Sequence, residues 1–156
     1  IYLVRFMNRL ISRANAIIRD IWYCDMELAY IDEKETLDFT ISVILNKSTT
    51  VKDISLCSKG QAAVINLAMT LAICLERGFL KQYPLSLDEV DAALTEEHRA
   101  KLCELLSRFI DEGVINQLML VNHFAMQTGI QSLDAVVLSS DGIVVPGDYN
   151  RHATIH

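Results

Sequence analysis

Apolar residues in the first stretch recur at Leu3, Met7, Leu10, Ala14, Ile17 and Ile21, in steps that alternate four and three. That is the spacing of a coiled-coil seam. Phe6, Ile11 and Ile18 widen the stripe, so residues 1–22 are predicted to form one amphipathic helix. Arg5, Arg9, Arg13 and Arg19 load it with positive charge. Two readings fit: a surface helix with solvated arginines, or the last turns of a longer coiled coil entering a globular head. The period then changes. Met26 to Ile31 and Leu37 to Leu45 read as two strands, because Phe39, Ile41, Val43 and Leu45 recur every second residue. The polar link Asp32-Glu33-Lys34-Glu35 makes them an antiparallel hairpin or meander, with Ser48-Thr49-Thr50 as a loop.

Downstream, Ser55 to Gln61 leads into a helix running to about Arg77. Its stretch Ala62 to Leu75 is broken only by Asn66 and Thr70, which predicts burial on nearly all sides. Gly78 fits the position just past a helix end. Leu85-Ser86-Leu87 reads as a short strand. Glu96 to Asp111 is a second amphipathic helix, with Leu102, Leu105, Leu106, Phe109 and Ile110 on one face and Gly113 beyond its end. Leu118-Met119-Leu120-Val121 reads as a buried strand. Ala135 to Leu138 and Ile143 to Val145 flank Ser139-Ser140-Asp141-Gly142, where Asp-Gly signals a tight hairpin. The tail from Gly147 is read as loose. Strands first, then helix and strand in alternation, predict a mixed α/β fold.

Composition narrows the choices. The 156 residues fit one domain, and 51% hydrophobic against 22% charged residues supply a core. A disordered tail or a collagen-like chain is excluded. A formal net charge of −6 excludes a generally basic nucleic-acid binder, so any DNA contact is local. The four cysteines, Cys24, Cys57, Cys74 and Cys103, form no C-x-x-C pair and read as reduced, mostly buried thiols of a cytoplasmic protein. No run reaches the about 18 apolar residues of a membrane span. The chain starts at Ile1 with neither an initiator Met nor a signal-peptide pattern, which suggests a piece of something longer.

Three short segments carry candidate chemistry. Ser58-Lys59-Gly60-Gln61 opens a helix, where free N–H groups and the helix dipole favour an anion and a glycine lets phosphate approach. The plain alternative is an N-cap with Ser58 as its capping residue. Asp88 and Glu89 follow an apolar strand. One carboxylate there can hold Mg²⁺ through water, and the next can orient an attacking water. The alternative is a solvated acidic turn. His123 follows the second apolar strand, either as a site residue or as a hydrogen-bonded structural histidine.

In this order and spacing the three segments resemble the signature, Walker B and His-switch of an ABC-type ATPase head. They are most similar to the branch of SMC proteins, RecF, RecN and the SbcC-type nuclease ATPases. Leu87-Asp88-Glu89-Val90-Asp91-Ala92-Ala93-Leu94 looks like SMC-branch Walker B running into the D-loop, and Ser58-Lys59-Gly60-Gln61 looks most like phage or bacterial SbcC-type subunits. The continuation Ala62-Ala63-Val64 lacks the arginine of transporter motors. The resemblance implies the C-terminal lobe of a head, with residues 1–22 as the base of a coiled-coil arm and 23–156 as the lobe.

It further implies roles. Ser58, Lys59, Gly60 and Gln61 would face the γ-phosphate of an ATP held by a second head. Asp88 would support Mg²⁺, Glu89 would be the catalytic base, and His123 would sense the γ-phosphate. Asp91, Ala92, Ala93, Leu94 and Thr95 would form the D-loop at the dimer interface. Two residues depart from the pattern: Lys59 stands where a glycine is usual, and Thr95 where an aspartate is usual. No G-x-x-x-x-G-K-[ST] occurs, so the phosphate-cradling P-loop must come from an N-terminal lobe. The chain alone is therefore expected to bind ATP weakly and not to hydrolyse it. The implied partners are that lobe, a second head, DNA and a metallophosphoesterase-type nuclease, with an output in DNA repair or recombination. The alternatives are an SMC- or RecN-like DNA-tethering ATPase without a nuclease, and a non-catalytic interaction module.

Overall fold

The computed structural model describes residues 2–32, 39–51, 53–121, 137–139 and 142–144. Helix α1 (Tyr2–Trp22) buries Met7, Leu10, Ile11, Ala14, Ile17, Ile18 and Ile21, the predicted stripe, from its second turn onward. These residues belong to the same core as the rest of the lobe. The helix packs along α2 (Lys59–Arg77) and against α4 (Glu96–Asp111). Both Arg9 and Arg13 pair with Glu76 of α2, at 2.9 and 3.0 Å.

The predicted meander is present as β1 (Met26–Asp32) and β2 (Phe39–Leu45), antiparallel from Met26↔Leu45 to Asp32↔Phe39. The expected loop at Ser48-Thr49-Thr50 is instead largely strand. Positive φ at Asn46 and Lys47 turns the chain back, and β3 (Thr49–Val51) pairs with β2. Met26, Leu28 and Val43 enter the core. Asn15 of α1 satisfies both backbone groups of Leu28: its amide donates to Leu28 O at 2.9 Å and its carbonyl accepts Leu28 N–H at 2.7 Å.

Helix α2 starts in a complete capping box. Ser58 Oγ accepts the Gln61 N–H, and the Gln61 side chain accepts the Ser58 N–H. It stops at Gly78, whose φ of 68° is the left-handed conformation of a C-terminal cap. Its burial is one-sided rather than all-round. Val64, Leu67, Ala68 and Leu71 are buried, while Asn66, Thr70 and Ile73 are exposed. A short helix α3 (Phe79–Gln82) leads into β4 (Leu85–Asp88). Helix α4 then crosses back to β5 (Leu118–Val121), which pairs parallel to β4 from Leu85↔Leu118 to Asp88↔Val121.

This small parallel sheet is covered on one face only. Leu85 and Leu87 are buried beneath it. On the other face Ser86 and Asp88 are exposed, as are Met119 at 59% and Val121 at 53%. The expectation of a buried β5 fails for this physical reason: among the described residues nothing lies over that face. The predicted hairpin is β6 (Val137–Ser139) against β7 (Gly142–Val144), closing on the pair Ser139↔Gly142.

Candidate functional site

The end of β4, the start of α2 and the turn before α4 lie together and carry two of the three predicted segments. Asp88 closes β4, and its carboxylate is exposed. Glu89 follows with φ 50°, a left-handed conformation costly for a residue with a Cβ. Its N–H donates to Val121 O at 2.8 Å, extending the β4–β5 ladder by one bond and fixing the turn. Glu89 is therefore presented beyond the strand end by backbone geometry, with an exposed side chain.

The next residues form a tight turn, with Ala92 N–H donating to Glu89 O at 3.0 Å and Leu94 N–H to Asp91 O at 2.9 Å. Ala92, Ala93 and Thr95 are exposed, whereas Leu94 is buried. Asp91 is 0% exposed, and neither carboxylate oxygen has a hydrogen-bond partner. Thr95 caps α4: its Oγ accepts the His98 N–H at 3.4 Å and contacts His98 Nδ1 at 2.8 Å. That is a structural task for threonine at a position where the resembled pattern has aspartate, another capping residue.

At the start of α2, Ser58 and Lys59 are exposed and Gln61 is half-buried. The capping box satisfies the Ser58 and Gln61 N–H groups and leaves those of Lys59 and Gly60 as the first-turn donors. Gly60 is buried, and the reason for glycine is packing. A Cβ there would stand 2.9 Å from the Ala93 carbonyl oxygen and 3.3 Å from the Trp22 ring. The Ser58–Gln61 turn and the turn after β4 are thus in direct backbone contact.

An open cleft of about 380 Å³ runs between α2 and the uncovered face of β4. Asn66 and Thr70 line one wall; Ser86, Asp88 and Glu89 line the other. An exposed carboxylate at a strand end suits a Mg²⁺ ion that keeps much of its water. Among the described residues no group of three or more His, Cys, Asp or Glu is placed to hold a metal ion. His123 lies outside the described residues, as does the tail from Gly147.

The arginines are less available than their number in sequence implies. Arg9 and Arg13 are engaged by Glu76, and Arg77 sits over the Phe6 ring at 5.7 Å. Sequence reasoning missed Trp22, whose ring stacks on His98 at 3.9 Å between centroids. No local pattern marks it; only tertiary contact does. Cys103 is buried and Cys57 and Cys74 are partly so, and none of the three is in a disulfide.

The fold is a mixed α/β architecture that matches the structures of SMC ATPase head domains. A structure described as showing ATP-driven dimerization and DNA-stimulated activation of SMC ATPases matches with a TM-score of 0.72 at 15% identity, over 94% of this chain and 88% of that one. The Smc head of Pyrococcus furiosus, with an extended coiled coil and the C-terminal domain of ScpA bound, matches with a TM-score of 0.69 at 16% identity. That match covers 91% of this chain and 35% of the Pyrococcus chain. The SMC head of Thermotoga maritima matches with a TM-score of 0.57 at 20% identity, over 94% of this chain and 51% of that one. No protein-family model and no curated protein matches in sequence. No helix among the described residues is long and apolar enough to cross a membrane.

Proposed function

We propose that this chain is the C-terminal half of an SMC-like ATPase head that works by ATP-driven dimerisation. The observation that carries the reading is the backbone contact of Gly60 with Ala93. It holds the signature turn and the turn after Asp88–Glu89 as one rigid unit, on a lobe with the SMC-head fold. The uncovered β4–β5 face, with Met119 and Val121 exposed, supports a second lobe that covers it and brings the P-loop. In this scheme Asp88 holds Mg²⁺, and His123, two residues beyond β5, senses the γ-phosphate. Glu89 orients the attacking water and accepts its proton. The Lys59 and Gly60 N–H groups and the Ser58 hydroxyl face the phosphate of the opposite head, Lys59 tunes that affinity, and Ala92 to Thr95 form the D-loop. The bound metal would neutralise phosphate charge; the chain's residues supply positioning.

Residues 1–22 then form the base of an arm, whose first turn leaves Tyr2 and Leu3 exposed. The local DNA contact would fall to Arg5 and Arg19, both exposed. Control of a nuclease on DNA ends is a second reading, carried by the sequence Ser58-Lys59-Gly60-Gln61. Co-purification with a metallophosphoesterase separates it from DNA tethering.

The test adds back a P-loop lobe and follows association by size exclusion with light scattering, using Mg²⁺ and ATP-γ-S. Wild type should dimerise and Ser58→Arg should not. Glu89→Gln should dimerise yet lose about 100-fold or more of its turnover. A folded, reassembled head that stays monomeric with nucleotide would overturn the proposal.

A further inference from the structure

Trp22 ends α1 at a place where three elements of the lobe meet. One edge of its ring lies 3.3–3.4 Å from where a Cβ on Gly60 would stand, at the start of α2. Its face stacks on His98, with an interplanar angle of 7°. His98 is in turn held by Thr95, the last residue of the turn that carries Ala93. The neighbours of Trp22 strengthen the same junction. Tyr23 adopts φ 61° and its hydroxyl donates to Glu97 at 2.7 Å, while Asp20 pairs with Arg108. Gly60 is thereby bounded by the Ala93 carbonyl and by a ring rigidly attached to α1.

A flat ring held in this way transmits position. If α1 tilts or slides, the indole moves with it, and neither neighbour has room to stay where it was. The half-buried ring touches Gly60 and His98 at van der Waals distance, so such a shift is passed on to both. The start of α2 and the turn before α4 must move together.

We propose that Trp22 is a positioning residue that sets the spacing between the signature turn, Ser58 to Gln61, and the turn from Ala92 to Thr95, and so ties that spacing to the angle of α1. The importance of this spacing for head engagement rests on the ATPase reading above. The positioning itself does not, and its test involves no nucleotide.

The test is amide hydrogen exchange on the full chain. Four hydrogen-bonded amides report the junction: Gln61, Ala62, Ala92 and Leu94. Two others, Tyr83 and Asn116, report the lobe elsewhere. Trp22→Ala should speed exchange at the four by about tenfold or more as a set, while the two controls stay near wild type. Trp22→Phe should restore most of the protection. His98→Ala, which keeps the indole and serves if Trp22→Ala does not fold, should speed the same four amides by about threefold. An equal rise at all six amides would mean that Trp22 is merely core packing, and no rise at Gln61 and Ala62 would mean that it positions nothing. Either result overturns the proposal. Nucleotide-dependent dimerisation is read separately, so failure of the ATPase reading leaves these exchange rates standing.

Discussion

The missing side chain of Gly60 faces the carbonyl oxygen of Ala93, at a distance that no Cβ tolerates. The obstacle is backbone, and on the other side stands the Trp22 ring, so neither neighbour yields cheaply. Gly60→Ala should cost about 1–3 kcal/mol in chemical denaturation. That loss should exceed any gain from alanine's better helix propensity, which is about 1 kcal/mol. A variant as stable as wild type would show that the two turns can part freely.

The left-handed backbone at Glu89 makes a different prediction. Glu89→Ala and Glu89→Gly both remove the carboxylate, so they differ only in backbone preference. At φ 50° the glycine variant should be the more stable by about 1 kcal/mol, the reverse of their order in a helix. Paired urea melts decide it.

Glu76 joins α2 to α1. Its burial works against ionisation, but hydrogen bonds and charge from Arg9, then Arg13, outweigh it and hold the carboxyl below its ordinary range. A carboxylate with a depressed folded pKa contributes stability above its unfolded pKa and loses it as pH falls through the folded one. Acid should therefore loosen the α1–α2 contact below about pH 4.3. Glu76→Gln should be less stable at neutral pH and show a flatter acid limb, with the difference from wild type shrinking toward low pH. Thermal melts from neutral to acid pH measure this.

Asp91 is fully buried with two unpartnered oxygens. Replacing it by neutral Asn should stabilise the isolated chain by about 1 kcal/mol or more. Cys103 gives a second readout. Its thiol is pushed up by burial first and then by the carboxylates of Asp91 and Glu104. In Asp91→Asn the second cause is gone, so the pH midpoint for Cys103 alkylation should fall.

Much of this was legible because local and tertiary demands agree. The stripe from Met7 to Ile21, the Ser58 cap, the Gly78 stop and the helix from Glu96 to Asp111 all follow from period and capping chemistry. Asp88 and Glu89 were visible as carboxylates at the end of an apolar strand. Strand β3 was not visible, because Thr49-Thr50-Val51 is too short and polar to show a period; its pairing with β2 decides it. The exposed side of β5 was hidden for the opposite reason. An apolar run reads as buried whether one or both of its faces are covered. The roles of Trp22 and Gly60 depend on a contact between distant segments, which no spacing rule encodes.

The clasp of Asn15 on Leu28 has a consequence for how the lobe behaves in a crowded solution. A strand edge with open N–H and C=O groups recruits other strands. Here one side-chain amide impersonates a neighbouring strand at Leu28 and answers both groups at once. The meander is thereby made deaf to foreign strands at that point by a residue of α1. Swapping Asn15 for an isosteric leucine would leave the helix pattern intact and yet reopen an edge to aggregation.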